Sequence, residues 1–113
     1  MPKTAIELHL VEKGVHKMNL QKVPEVADVW TTGNWWVGDK TANQLIGRRI
    51  FLHKGQDKVA HIGGEILSVS QAPGSDPKRK VFQFRELADC IGTPAPSSGW
   101  GNEKCIVWSA NQV

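Results

Sequence analysis

The sequence predicts an α+β fold: a small mixed or antiparallel β-barrel, or a curled sheet, with one or two short helices. Three observations carry this. Five runs have strand length and strand composition, with apolar and β-branched residues alternating or clustered. Gly, Pro, Asn, Asp and Ser punctuate the chain between them. The chain has 113 residues, 40% hydrophobic and 22% charged, a globular composition with room for one core and not two, so residues 1–113 read as a single domain.

The elements follow in chain order. Ile6, Leu8 and Leu10 alternate with Glu7 and His9, the two-residue period of a strand with one buried face, closed by Gly14. The stretch from Leu20 to Val29 carries Pro24 and mixed polarity and reads as a short helix or turn. Val29 to Trp36 is rich in Thr, Gly and Asn between its tryptophans and reads as loop. Thr41 is placed to cap a short helix, Ala42 to Ile46, stopped by Gly47.

Arg48 to His53 and Val59 to Val69 are β-rich runs joined by Lys54-Gly55-Gln56-Asp57-Lys58, a hairpin. Gly63-Gly64 inside the second run predicts a bulge or a close approach of another backbone or a ligand. After the Ala72–Pro77 loop, Lys80 to Arg85 forms a strand with Phe82 and Phe84 on one side and Val81, Gln83 and Arg85 on the other. Thr93 to Asn102 is a Gly/Pro/Ser loop around Trp100, and Lys104 to Ser109 is the last strand, with Trp108 assigned to the core.

The function classes narrow by what the residues lack. There is no apolar run of bilayer length and no signal-peptide core in Met1 to Leu10, so the expectation is a soluble cytoplasmic protein with no membrane partner. Cys90 and Cys105 form no CxxC pair and no zinc spacing, and read as reduced, buried thiols. Asp28, Asp39, Glu65, Glu86 and Asp89 are scattered, with no spacing that promises a catalytic carboxylate pair. There is no GxSxG elbow, and Gly63-Gly64 and Gly99-Trp100-Gly101 fit neither the dinucleotide nor the P-loop pattern. The expectation is therefore no enzyme, no cofactor and no metal. His9, His16, His53 and His61 read as solvent-facing or hydrogen-bonded strand histidines, with His53 and His61 able to meet across the hairpin.

What stands out is tryptophan: 5 of them, with 3 Phe and no Tyr, in a chain of net charge +3. Tryptophan needs a large slot and a partner for its indole N–H, yet Trp30, Trp35, Trp36 and Trp100 lie in polar, loop-like stretches. Indoles there can plug the ends of a barrel, or they can stack on an unpaired base, worth roughly 1–3 kcal/mol per base. The cluster Lys78-Arg79-Lys80, with Arg48, supplies the charges that phosphates require.

At this point the order of features resembles the PUA-like superfamily, within it the EVE and YTH branch. Ala27-Asp28-Val29-Trp30-Thr31-Thr32 looks like the YTH segment that brings one wall of a methyl-base cage. A short helix then leads to the strand Arg49–His53, and a turn leads to a glycine-bearing strand, His61–Val69, as in EVE-type domains. The similarity covers Val29 to Val69 and, more loosely, the last strand. The chain departs from the family in its opening strand, Ile6 to Val11, which lacks the usual aromatic residues, and in the pair Trp35-Trp36, which has no family position.

The resemblance implies a non-catalytic domain that recognises a modified, methylated base in DNA or RNA. Trp30 would stack on the base beside Thr31, and Asn34 would read its polar edge. Trp100 would form the second wall, with Trp35 and Trp36 as rivals. Arg48, Lys78, Arg79 and Lys80 would hold phosphates. Two alternatives stand beside it: a protein-protein or small-ligand module on the same fold, its tryptophans serving as interface anchors, and a small hydrolase or nuclease in which His53, His61 and Glu65 converge.

Overall fold

The computed structural model describes residues 4–11, 20–33, 35–72, 74, 78–101 and 104–109. Gly14, His16, Asn34, Asn102 and most of the Ala72–Pro77 loop lie outside them. Among the described residues nine strands form one mixed sheet: β1 (Ala5–Val11), β2 (Gln21–Lys22), β3 (Val29–Thr31), β4 (Trp35–Trp36), β5 (Arg49–His53), β6 (Ala60–Gln71), β7 (Arg79–Glu86), β8 (Trp100–Gly101) and β9 (Lys104–Trp108). The strand order is β2-β3-β7-β6-β5-β1-β9-β8, with β4 also on β7. β1 and β5 are parallel and every other pair is antiparallel. The path has two ends, β2 and β8, so the sheet is open: among the described residues no backbone ladder closes it into a barrel.

The single α-helix among the described residues, α1 (Asp39–Leu45), starts before the expected Thr41 cap. Gly38 takes the N-cap position, its carbonyl accepting from Ala42 N–H at 2.9 Å, and no side chain caps the end. It ends at Ile46, and Gly47 follows with a φ of +86°, a left-handed conformation natural to glycine. Ala42 and Leu45 turn inward onto the main core, which also holds Leu8, Leu10, Ile50, Leu52, Ile66, Phe82 and Phe84. The two fully buried phenylalanines each contribute roughly 2–3 kcal/mol by leaving water. A smaller cluster, Phe51, Ala60 and Cys90, packs with Leu87 beside the 3₁₀ turn Ala88–Cys90. No helix among the described residues is long and apolar enough to cross a membrane.

The hairpin forms as expected, β5 against β6. The expected close backbone approach is there too: a Cβ on Gly64 would stand 1.8 Å from the Arg85 carbonyl oxygen, and one on Gly63 2.4 Å from that of Ile50. Gly63 and Gly64 thus let β6 lie tightly between its two neighbours, and a register shift follows between Ile66 and Ser68.

Of the two readings of Leu20 to Val29, helix or turn, the turn forms, with left-handed Glu25 and Asp28 and the short β2. Three expectations change. Trp30, Trp35 and Trp36 are strand residues rather than loop, because β7 extends far enough to pair with both β3 and β4. From Leu8 to Val11 β1 is buried on both faces, so His9 is as enclosed as Leu8, while Trp108, assigned to the core, is 40% exposed at the end of β9.

Candidate nucleic-acid interface

Strand alternation decides what β4 presents. Trp35 packs against the core and Trp36 points out, 48% exposed. Pairing with β7 sets Trp36 opposite Arg79, and Val37 N–H bonds the Lys78 carbonyl at 2.9 Å, so a basic stretch runs alongside the indole. The Lys78 ammonium lies 5.0 Å from the Trp36 ring centroid, within cation–π range. Lys104 reaches over from β9 and donates to the Trp36 carbonyl oxygen. Its ammonium is pushed below the ordinary lysine value by burial first and by the Arg79 charge second.

One exposed indole thus has Lys78 over its ring, Arg79 opposite it in the ladder and Lys104 on its backbone carbonyl. The ring offers a π face to a base, and the cations offer partners to phosphate. Lys104 is not a residue that local sequence pattern singles out. Its membership depends on β9 coming round to meet β4, which strand alternation cannot show.

The other expected base-binding residues are placed differently. Trp30 is half-buried in β3 against the main core, its indole N–H donating to Glu86 Oε1 at 2.9 Å, with Lys22 Nζ 5.7 Å from its ring. Thr31 is half-buried between Gln21 and Gln83 in the ladder. Asn34 lies outside the described residues. Trp100, in β8, donates its N–H to the Pro96 carbonyl at 2.8 Å and sets its ring edge-on to His9 and His53. The partners of Trp30 and Trp100 have no residue in common. The two expected cage walls therefore do not meet in one contact set.

Among the phosphate candidates, Lys78 and Arg79 are exposed beside Trp36. Arg48 is exposed just before β5, which β6 separates from β7. Lys80 is corrected: it is 6% exposed and bonds Asp39 Oδ1 at 2.8 Å, because it faces inward with Phe82 and Phe84. That bond and charge hold the Asp39 carboxyl below its ordinary value, with a smaller contribution from Lys78.

The residues of the hydrolase alternative do not converge. Both ring nitrogens of His53 are engaged, Nε2 with His9 Nδ1 at 2.8 Å and Nδ1 with the Lys58 carbonyl at 2.7 Å. His61 and Glu65 lie four residues apart along β6, about 13 Å at strand rise. Among the described residues no group of three or more His, Cys, Asp or Glu could hold a metal. Cys90 and Cys105 are buried and form no disulfide, and burial is the largest cause raising both thiols above their ordinary value.

A separate cleft of about 620 Å³ opens beside Trp100, between the 54–58 turn and the proline-bearing loop before β8. Gln56, Asp57, Val59, Pro94, Pro96 and Trp100 line it. No family model, no curated protein and no solved structure matches the chain.

Proposed function

We propose that this chain is a non-catalytic nucleic-acid-binding domain that engages an unpaired base on Trp36 and the flanking phosphates through Lys78, Arg79 and Lys104. The observation that carries the reading is the half-exposed indole with an ammonium at 5.0 Å, Arg79 opposite it in the ladder and Lys104 on its backbone carbonyl. A single strand supplies both complements, π faces and a charged backbone, whereas an apolar protein surface supplies neither phosphate nor a counterion atmosphere.

On this reading the sheet curls toward the barrel expected of a PUA-like domain, and the Lys104 side chain crosses the gap between β9 and β4. The base reader is Trp36 rather than Trp30, and it carries no preference for a methylated base, because a one-sided platform stacks every base.

The test is tryptophan fluorescence titrated with short unmodified DNA and RNA strands at low and high salt. Binding that weakens steeply with salt supports the reading. Salt-insensitive binding, or none, removes it. The cleft beside Trp100 favours a second reading, a small-ligand or protein-binding module, which predicts that salt-insensitive outcome for its own ligand.

A further inference from the structure

Under Trp100, the side chains of β1 and β5 form a hydrogen-bonded chain that runs from part-exposed Glu7 into two buried imidazoles. Glu7 Oε1 stands 2.9 Å from His9 Nε2, His9 Nδ1 stands 2.8 Å from His53 Nε2, and His53 Nδ1 stands 2.7 Å from the Lys58 carbonyl oxygen. His9 is 1% exposed and His53 0%, while Glu7 is part-exposed. Each of the three contacts requires one proton. The Lys58 carbonyl can only accept, so His53 Nδ1 must carry the proton of the last contact. The pair of rings and the carboxyl must supply the other two. Two neutral imidazoles and a carboxylate hold two protons in all, one short of the three that the contacts require.

We infer that Glu7, His9 and His53 hold one shared proton that closes the chain to the Lys58 carbonyl, and that its release frees the 54–58 turn, one wall of the cleft beside Trp100. With the proton, the three side chains sum to zero net charge, as a carboxylate beside an imidazolium. Without it, one contact must set two lone pairs against each other. The Glu7–His9 contact is charge-assisted and about twice as strong as a neutral one. His9 therefore keeps its proton on Nε2, toward Glu7, and His53 keeps its own on Nε2, toward His9, because bare nitrogens facing each other inside the buried ring pair have no water to turn to, whereas the turn that carries Lys58 is exposed. His53 Nδ1 is left bare against the Lys58 carbonyl, and that contact opens.

The surroundings set where this happens. Across β9, Cys105 stands opposite His9 and Lys104 opposite Leu10. On β5, Arg49 stands opposite Glu7, but its guanidinium is turned to Asp89 and Cys90 beside the 3₁₀ turn. β6 contributes His61, which feels Lys54 and His53, and the turn itself carries Lys54, Asp57 and Lys58. Phe51 stacks on His9 at 4.7 Å and Trp100 covers both rings. Burial is the largest cause at both His9 and His53 and lowers each below 6.5, with Glu7 opposing it at His9. The shared proton is thus taken up on the acid side of 6.5, where the turn is fixed.

The substitution Glu7→Gln separates this from ordinary titration. The introduced side-chain amide donates to His9 Nε2, His9 Nδ1–H donates to His53, and His53 Nδ1–H donates to Lys58, so every contact closes with no added proton. The experiment is imidazole nitrogen NMR together with exchange of the Lys58 amide, which bonds the Gly55 carbonyl at 3.1 Å, followed across 6.5. The expected result in the native chain is three ring N–H protons on the acid side and two above. Lys58 exchange, corrected for intrinsic rate, should speed by about tenfold as one neutral bond is lost. In Glu7→Gln that step is absent. A step of equal size in Glu7→Gln, or two ring protons at every pH in the native chain, overturns the inference. If the variant does not fold, the native chain still decides: a ring count that falls from three to two while Lys58 exchange does not change overturns the inference.

Discussion

Trp36 and Trp100 both stand on strands two residues long, both beside glycine in the sequence or close to it, and they end in opposite situations. β4 pairs with the basic start of β7, and Trp36 is left facing water among Lys78, Arg79 and Lys104. β8 pairs with β9 over the histidine pair, and Trp100 is pinned by Pro96 and by two ring edges. The pairing strand therefore decides which indole is a platform and which is a lid, since the local composition of the two stretches is alike.

Both ends depend on β6, so the largest break in the comparison comes there. Gly64→Ala would force a Cβ into the Arg85 backbone and should cost about 3 kcal/mol, removing both sites together. Chemical denaturation measures it, and a loss under about 1 kcal/mol would mean that the strands are not held so close. Trp30→Ala is next. Trp30 was the expected base reader, but it packs on the core and bonds Glu86, so the change should cost about 2–3 kcal/mol and leave stacking at Trp36 intact.

Acid separates the two ends without mutation. His9, His53 and His61 are all lowered from 6.5, burial being the largest cause in each. Their folded values lie below the unfolded value, so the unfolded chain binds more protons between the two. The stability they contribute is present above 6.5 and is lost as pH falls through their folded values. Melting followed against pH should show the midpoint dropping on the acid side, and a midpoint rising there would contradict the burial of the pair. The smallest effect is at the rim: Lys78→Ala with Arg79→Ala should leave melting within about 0.5 kcal/mol of native and reduce the salt slope of strand binding by about 2.

Much of this fold was legible in residue alternation. Arg49–His53 against the glycine-bearing strand, and Phe82 and Phe84 facing inward on β7, follow from local pattern. The same alternation, carried back two residues from Phe82, places Lys80 inside, a signal that its membership in the Lys78-Arg79-Lys80 cluster obscured. What local pattern cannot reach is pairing at long range. His9 and His53 are 44 residues apart on parallel neighbours, and Lys104 meets Trp36 across 68 residues. Nothing in Leu8-His9-Leu10 or Leu52-His53 names its partner, although apolar neighbours on each histidine are the trace that enclosed pairs leave. Trp108 misled for the opposite reason: its alternation was regular, but its place at the end of β9 leaves it exposed.

The most direct measurement is the affinity of one short single strand for the native chain, Trp36→Ala and Trp100→Phe, side by side at low salt, each confirmed folded by its melt. Stacking on Trp36 predicts that Trp36→Ala loses about tenfold or more while Trp100→Phe binds as the native chain does. Loss confined to Trp100→Phe, with Trp36→Ala unchanged, would contradict the account and move the binding site to the cleft beside the histidine pair.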